Sequence, residues 1–432
     1  MMKIARHLPA WLLQHLSVKL FRKWVHDSAS AALPSSAAPR QLLVDVSVIH
    51  LGDARTGIQR VVRNTYQQLL ATPPAGYRVC PIAATRKDGY HYLPTHFLEE
   101  RSPNFTTGLS ADLVQVGPGD LFLGLDLAAH IIPHRMSELW GWKEQGVRLY
   151  FYMYDLLPVL EPKWFNPSTT KNFKRWLRAL AILADEIICI SHTVEKEFSV
   201  WMQRTYGLST SSIRCSVVPL GVDISGFTSN EQAHVGVAQQ SSAWLENKFV
   251  LMVGTIEPRK GHDEILNAFE ELWAAGETVN LVIAGKQGWK MKPFIHRLKN
   301  HPESDERLRW LEGPSDEVLL QLYQNASGLI MASKGEGFGL PLIEAAFFSK
   351  PVFARDIPIF REVAIGNVTF FPNESSDHIF DALSKWVGGL TDCQPGIEVE
   401  RKNFVTWQES NYKLVRLITT NALRLRERVI SK

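Results

Sequence analysis

Twice along this chain, short apolar runs alternate with stretches of helical periodicity, and that alternation limits the fold more than any other feature. The first series opens at Leu42-Leu43-Val44-Asp45-Val46. It continues through Leu121–Leu125, Val147–Met153, Glu186–Ile190 and Ser216–Val218, with helical patterns at Ile58–Leu70, Asn172–Ala184 and Val194–Tyr206. The second series is more regular. Its strand runs are Phe249–Val253, Val279–Ala284, Leu308–Leu311, Gly328–Met331 and Pro351–Ala354. Helices are expected at Glu264–Ala274, Lys292–Lys299, Asp316–Asn325 and from Pro341. Strands apolar on both faces, alternating with helices, belong to parallel sheets covered on both sides. At 432 residues the chain is also too long for one ordinary core.

The sequence therefore predicts an α/β protein with two doubly wound, Rossmann-like domains. Gly221–Ser242 is polar and reads as the connection between them. The expected division is an amphipathic helix and linker over 1–40, a first domain over 41–225, a linker over 226–245, a second domain over 246–405, and a final Arg- and Leu-rich helix over 406–432. Ligands in such sheets sit beyond the carboxyl ends of the strands. Two such domains are expected to face each other across a cleft, each holding one substrate.

The segment SKGEGFGLPLIEAA, Ser333 to Ala346, follows one predicted strand and opens a helix. Gly335, Gly337 and Gly339 allow close backbone approach to a ligand. Pro341 suits the first helical turn, where an amide is not needed. The amides of Phe338, Gly339 and Leu340 are then expected to point at an anion, aided by the helix dipole. Glu336 and Glu344 flank this nest, and carboxylates accept hydroxyls well. Phosphate in the middle with polyols on both sides describes a sugar nucleotide. A Gly-rich loop alone is weak evidence; the paired carboxylates and Pro at helix entry strengthen it.

The segment VGTIEPRKGHD, Val253 to Asp263, lies at another strand end. Gly254 ends the strand. Arg259 offers a fork of donors and Lys260 a mobile point charge, a pair suited to a diphosphate. Both can offset charge on a leaving group.

These two segments resemble the retaining glycosyltransferases of family 4, also called glycosyltransferase group 1, which have the GT-B fold. The family signature of two glutamates separated by seven residues matches Glu336 and Glu344, and its phosphate-binding pair matches Arg259 and Lys260. Thr255 stands where the family often has Arg. VVPLGVD from Val217 and DIPIFREV from Asp356 resemble further family segments. Trp407 and the final helix resemble the part that crosses back to the first domain. The resemblance implies that Glu344 accepts ribose hydroxyls and Glu336 donor-sugar hydroxyls, within a donor set of Gly57, Gly254, Arg259, Lys260, Glu336, Gly337, Phe338, Gly339, Leu340 and Glu344. It also implies an acceptor in the first domain. Gly57 opens the helix after the first strand, with Arg60 and Arg63 beyond it as acceptor-phosphate candidates or plain solvated residues. Asp155, in YDLLP, matches a strand-end aspartate of the family and joins Glu336, Arg259 and Lys260 as a catalytic candidate. A turn-capping role fits Asp155 equally well. His192 reads more readily as a helix-start residue.

The resemblance implies transfer with retention. The leaving diphosphate would take the acceptor proton, since no carboxylate pair for double displacement is evident. No metal or other cofactor is expected: no DxD motif stands out, and Asp53, Asp120 and Asp126 are isolated. GIQR, YDLLP and ISHTV resemble bacterial mannosyl- and rhamnosyltransferases of surface polysaccharide, including lipopolysaccharide, synthesis. GDP-mannose or a GDP-deoxyhexose is the first expectation for the donor and a UDP-sugar the second. The expected partners are this donor and a glycan or lipid-linked acceptor. Two other readings share the fold: an epimerase or synthase acting on a soluble acceptor, and a regulatory binding module without catalysis.

Net charge is only +3, too small a bias to argue for nucleic acid. Cys80, Cys189, Cys215 and Cys393 are scattered and read as buried thiols in a reducing compartment. No apolar run of about 20 residues offers a membrane span. Residues 1–24 are basic and amphipathic, with Lys3, Arg6, Lys19, Arg22 and Lys23 and no acid. They fit peripheral contact with an anionic membrane, or packing on the protein's own surface. A cytoplasmic protein, peripheral at the inner face of the membrane, is the expected location.

Overall fold

A computed structural model describes residues 17–29, 39–53, 56–98, 112–222, 248–373, 379–390 and 404–430, the last ten by backbone only. The expected linker 226–245 and residues 1–16 lie outside these. Two compact units emerge. The first comprises Met1–Pro162, Asn166–Leu220 and Trp407–Lys432; the second comprises Lys163–Phe165 and Gly221–Thr406.

The first unit holds a seven-stranded sheet. Its strands are β1 (Arg40–Asp45), β2 (Tyr77–Ala83), β3 (His91–Tyr92), β4 (Leu121–Gly124), β5 (Arg148–Met153), β6 (Glu186–Cys189) and β7 (Arg214–Val217). They lie in the order β3-β2-β1-β4-β5-β6-β7. All pairs are parallel except β2 with β3. The central strands are buried throughout, as in β4, which explains their unbroken apolar runs. Trp407–Ile430 is one helix, and its Leu414 and Ile418 are fully buried. Within the same unit the Tyr150 hydroxyl donates to Ile418 O at 3.3 Å, and Ser410 Oγ to Pro219 O at 2.7 Å.

The basic amphipathic segment is a helix over Val18–Asp27, and its apolar side is already used. Val18, Phe21 and Val25 are buried, and the Phe21 ring meets Trp140 edge-on at 5.4 Å. Arg22 is buried with them. Its guanidinium donates to Ala181 O and Ala184 O, at 3.0 and 2.9 Å, and to Ser212 O at 3.0 Å. The first two carbonyls belong to the carboxyl end of the helix Pro167–Leu183, where orphan acceptors and the negative end of the dipole both favour a cation. Of the two readings for this segment, packing on the protein itself holds for Val18–Asp27.

The second unit is built on a six-stranded, fully parallel sheet. Its strands are β8 (Phe249–Val253), β9 (Asn280–Ala284), β10 (Leu308–Leu311), β11 (Gly328–Met331), β12 (Val352–Arg355) and β13 (Val368–Phe371). Their order is β10-β9-β8-β11-β12-β13. The chain runs outward from β8 on one side and from β11 on the other, so β8 and β11 flank the switch point where a crevice forms. One face of this sheet buries Val250, Met252, Ile330 and Phe353 against Ile265, Phe269 and Leu272 of the helix His262–Ala274.

Candidate functional site

The loops leaving β8 and β11 meet at that switch point. After β8, Gly254 takes φ +140° and the chain turns into Pro258–Lys260, a single tight turn. Gly261 follows at φ +70° and starts the helix His262–Ala274. Glycine is required there on two counts. An added Cβ would strain the left-handed backbone, and it would stand 2.6 Å from Ala332 O, just past β11. Gly285, after β9, lies so close to the first turn that its added Cβ would be 1.9 Å from Gly254 O. The β8 loop is thus wedged between its two neighbours, and its direction is fixed.

Arg259 and Lys260 leave this loop toward Glu336, which follows β11. Arg259 Nη1 donates to Glu336 Oε2 at 2.5 Å and to Gly335 O at 2.8 Å. Its Nη2 holds Glu257 Oε1 at 2.7 Å. Lys260 Nζ and Ser333 Oγ both donate to Glu336 Oε1, the latter at 2.7 Å. The backbone joins the loops too, with Lys334 N donating to Arg259 O at 2.8 Å. Burial by itself would raise the Glu336 carboxyl. The charges of Arg259 and Lys260 outweigh it and hold the group down at about 2. Glu336 is therefore an anion locked onto two cations. Hydrogen bonds between ionised partners are shorter and about twice as strong as neutral ones.

A second set of ion pairs supports the first. Arg355, buried at the end of β12, donates from Nε to Ala332 O at 2.9 Å and pairs with Glu264. Glu264 also takes Lys334 Nζ at 2.6 Å. Arg355 thereby fixes the carbonyl that packs against Gly261, and Glu264 ties the helix to the β11 loop. His262 sits beneath, pushed down to about 3 by burial and by Lys260, and is neutral.

Beyond Glu336 the chain reaches Gly339 at φ +109°, then the helix Leu340–Phe347 with Pro341 in its first turn. Phe338 is buried, and Leu342 N reaches Gly339 O at 3.0 Å. The first-turn amides of such a helix have no partner within it. Glu344 points inward: Tyr323, from the helix Asp316–Asn325, donates its hydroxyl to Glu344 Oε2.

Gly254, Arg259, Lys260, Glu336, Gly337, Phe338, Gly339, Leu340 and Glu344 all fall in the second unit. Its fold brings Arg259, Lys260 and Glu336 into direct contact. Ser333, Glu257, Glu264, Arg355 and Tyr323 complete the arrangement, and sequence reasoning passed over their roles. Glu257 alone carried a signal, as a carboxylate two residues before Arg259.

Gly57 and Asp155 fall in the first unit. Gly57 is exposed at the start of the helix Gly57–Ala71, which Thr56 and Gln59 close with reciprocal caps. Arg63 is paired with Asp53. Asp155 accepts from Leu157 N at 3.0 Å, the turn-capping geometry. It has a titratable neighbour that the sequence did not suggest: Glu197, pushed up to about 7 by burial and by the Asp155 carboxylate. His192 pairs with Glu195 at 3.2 Å, near the start of its helix. Asp126 Oδ2 accepts from Val48 N and Ile49 N at 2.9 and 2.7 Å.

Two parallel-sheet, Rossmann-like units of this kind make up the GT-B fold. Residues 238–389 match the family model described as glycosyl transferases group 1. It is 36% identical over 383 residues to the serotype-specific mannosyltransferase WbdA of Escherichia coli, across 86% of this chain. The chain spans 45% of that relative's length. It is 27% identical over 244 residues to the O-antigen chain mannosyltransferase RfbU of Salmonella typhimurium, covering 56% of this chain and 61% of that one. Among solved structures, HepE of Anabaena in complex with UDP and glucose superposes with a TM-score of 0.55 at 15% identity, covering 91% of this chain and all of that one.

Proposed function

We propose that this protein transfers a mannosyl residue, with retention, from a nucleoside diphosphate sugar to a glycan or lipid-linked acceptor in surface polysaccharide synthesis. The observation that carries the reading is the convergence of Arg259, Lys260 and Glu336 at the switch point between β8 and β11. Two cations beside a helix N-terminus suit a diphosphate leaving group. Glu336 and Glu344 suit hydroxyls on the two sides of it. The mannosyltransferase relatives support mannose as the sugar, and GDP-mannose is the proposed donor. Retention is proposed to proceed by front-face departure. The leaving diphosphate receives the acceptor proton while Arg259 and Lys260 hold its charge, and no metal takes part.

The first unit is assigned the acceptor, with Asp155 and Gly57 in its neighbourhood. Peripheral contact with an anionic membrane surface on the cytoplasmic side is assigned to residues 1–16, because the apolar side of Val18–Asp27 is occupied.

The test is turnover of GDP-mannose by the purified protein on mannose-terminated acceptors, read as GDP release and as the anomeric configuration of the product by NMR. An α-linked product and loss of turnover in Arg259→Ala are expected. GDP-mannose binding without turnover on any acceptor would favour a binding module. An inverted product would sink retention.

A further inference from the structure

The cations assigned to the diphosphate are already neutralised. Arg259 and Lys260 contribute two positive charges to the switch-point loops. Glu257 and Glu336, both in direct contact with them, contribute two negative ones. The adjacent set, Lys334 and Arg355 with Glu264, adds a single positive charge, and His262 adds none. A diphosphate entering this site therefore meets no standing excess of charge large enough to hold it. One of the resident carboxylates has to give way. Glu257 takes the other nitrogen of the fork, Arg259 Nη2, and is nearly inaccessible at 4% exposure. Glu336 takes Arg259 Nη1 and Lys260 Nζ together, so its two oxygens occupy the positions that phosphate oxygens would need.

We infer that Glu336 and the donor diphosphate are alternative partners of Arg259 and Lys260: the carboxylate yields the two cations when the sugar nucleotide arrives, and takes them back after the sugar has left, ejecting the spent nucleoside diphosphate. The inference rests on the donor assignment made above. Its physical content is a cost and a repayment. Once phosphate oxygens occupy the cations, Glu336 is a nearly buried carboxylate beside an anion, with Ser333 Oγ as its remaining side-chain donor among those described. A buried charge that loses its partners is costly. Hydroxyls of the donor sugar offset that cost by donating to the freed oxygens. A bare nucleoside diphosphate brings no such donors. Left beside an anion and out of water without those donors, Glu336 then takes up a proton. The site thus separates loaded from spent nucleotide by the sugar's effect on one carboxylate, and the coupling is reciprocal between the sugar and diphosphate halves of the ligand.

Titration calorimetry on the full chain tests this, with GDP and GDP-mannose as probes, in two buffers of different ionisation enthalpy. The wild type should prefer GDP-mannose. It should take up a proton on binding GDP but not on binding GDP-mannose, because only the bare diphosphate leaves the carboxylate without donors. Glu336→Gln removes the competitor and keeps the shape. It should tighten GDP on the order of tenfold and shrink the preference for GDP-mannose by a similar factor. Proton uptake on GDP should vanish in this variant. If Glu336→Gln weakens GDP and GDP-mannose equally, or if the wild type takes up no proton with GDP, the exchange is overturned while the donor assignment stands. If the wild type binds neither GDP nor UDP, with or without a sugar, both fall together. The proton measurement uses the unmodified protein, so it decides the matter even where the variant folds poorly.

Discussion

Tyr323 donates its hydroxyl to Glu344 at 2.6 Å, and both side chains are buried to within 1% of full enclosure. The second glutamate of the signature is therefore oriented by a tyrosine from a different helix. Tyr323→Phe keeps the ring, which stacks on Phe348 with an interplanar angle of 12°, and removes only the donor. Leaving a buried oxygen short of a partner costs about 1–3 kcal/mol. The melting temperature should fall modestly. The donor KM should rise about tenfold, which corresponds to 1.4 kcal/mol, with kcat little changed. A KM equal to wild type would show that Glu344 has no part in the donor site.

Arg259 serves three acceptors at once: Glu257, Gly335 O and Glu336. Only a planar fork spans them, so Arg259→Lys is not a mild change. We expect kcat/KM to fall by about 10²-fold, in the range found when one preorganised donor to a developing anion is removed. Steady-state kinetics with GDP-mannose checks this. A loss under about threefold would remove Arg259 from the leaving-group site.

Stability should respond to pH in opposite senses in the two units. In the first, burial raises Asp45 to about 6, and burial with the neighbouring Asp45 charge raises Asp126 to about 7. A carboxyl whose folded value lies above its unfolded one, about 3.9 for Asp, favours the fold while it is protonated. That contribution is full below pH ~4 and is lost as pH rises through 6 to 7. In the second unit Glu336 is held at about 2. Its contribution is full above the unfolded value of about 4.3 and is lost as pH falls toward 2. Hydrogen exchange on peptides of the two units, between pH 5 and 8, should show the strands around Asp45 and Asp126 loosening as pH rises, and the second unit tightening up to about pH 6.5, because His262 is neutral in the fold, and level above it. Uniform behaviour would contradict the assignment.

Truncation separates the two roles of the N-terminal segment. Removing residues 1–16 should leave the melting temperature nearly unchanged and abolish binding to vesicles containing anionic lipid. Removing residues 1–27 also takes away Phe21, Arg22 and Val25, and exposes the carbonyls of Ala181 and Ala184. That loss should cost several kcal/mol, since each buried apolar side chain is worth about 1.5–3 kcal/mol. Unchanged vesicle binding after the shorter deletion would place the membrane contact elsewhere.

The second sheet was legible because its strands are apolar runs separated by helices of ordinary length. Phe249–Val253, Leu308–Leu311 and Gly328–Met331 fall where the pattern puts them. Three strands were missed, each for a physical reason. Pro81 interrupts the run of β2, and a proline argues against a strand interior. β3 has only two residues, too few for any periodicity. β13 lies at the sheet edge and is half exposed, so its pattern is mixed. The helix Met136–Glu144 escaped as well: Leu139 to Lys143 are buried consecutively, which leaves no stripe.

In the site, Arg259, Lys260 and Glu336 stood out by charge beside glycine. Their mutual pairing did not, because it joins residues 76 and 77 positions apart that only the adjacency of β8 and β11 brings together. Tyr323 and Arg355 were invisible for the same reason. Glu197 sits in an ordinary amphipathic helix, and nothing in its neighbours along the chain announces Asp155.

The helix Trp407–Ile430 has a consequence for how the protein is made. Leu414 and Ile418 fill the first unit, yet they leave the ribosome only after Gly221–Thr406 has been synthesised. Domains fold as units while the chain emerges. The second unit then has its whole sheet available while the first still waits for a helix, with part of its apolar interior open to chaperones or to other nascent chains. The half of the chain that is translated first is the half whose core closes last.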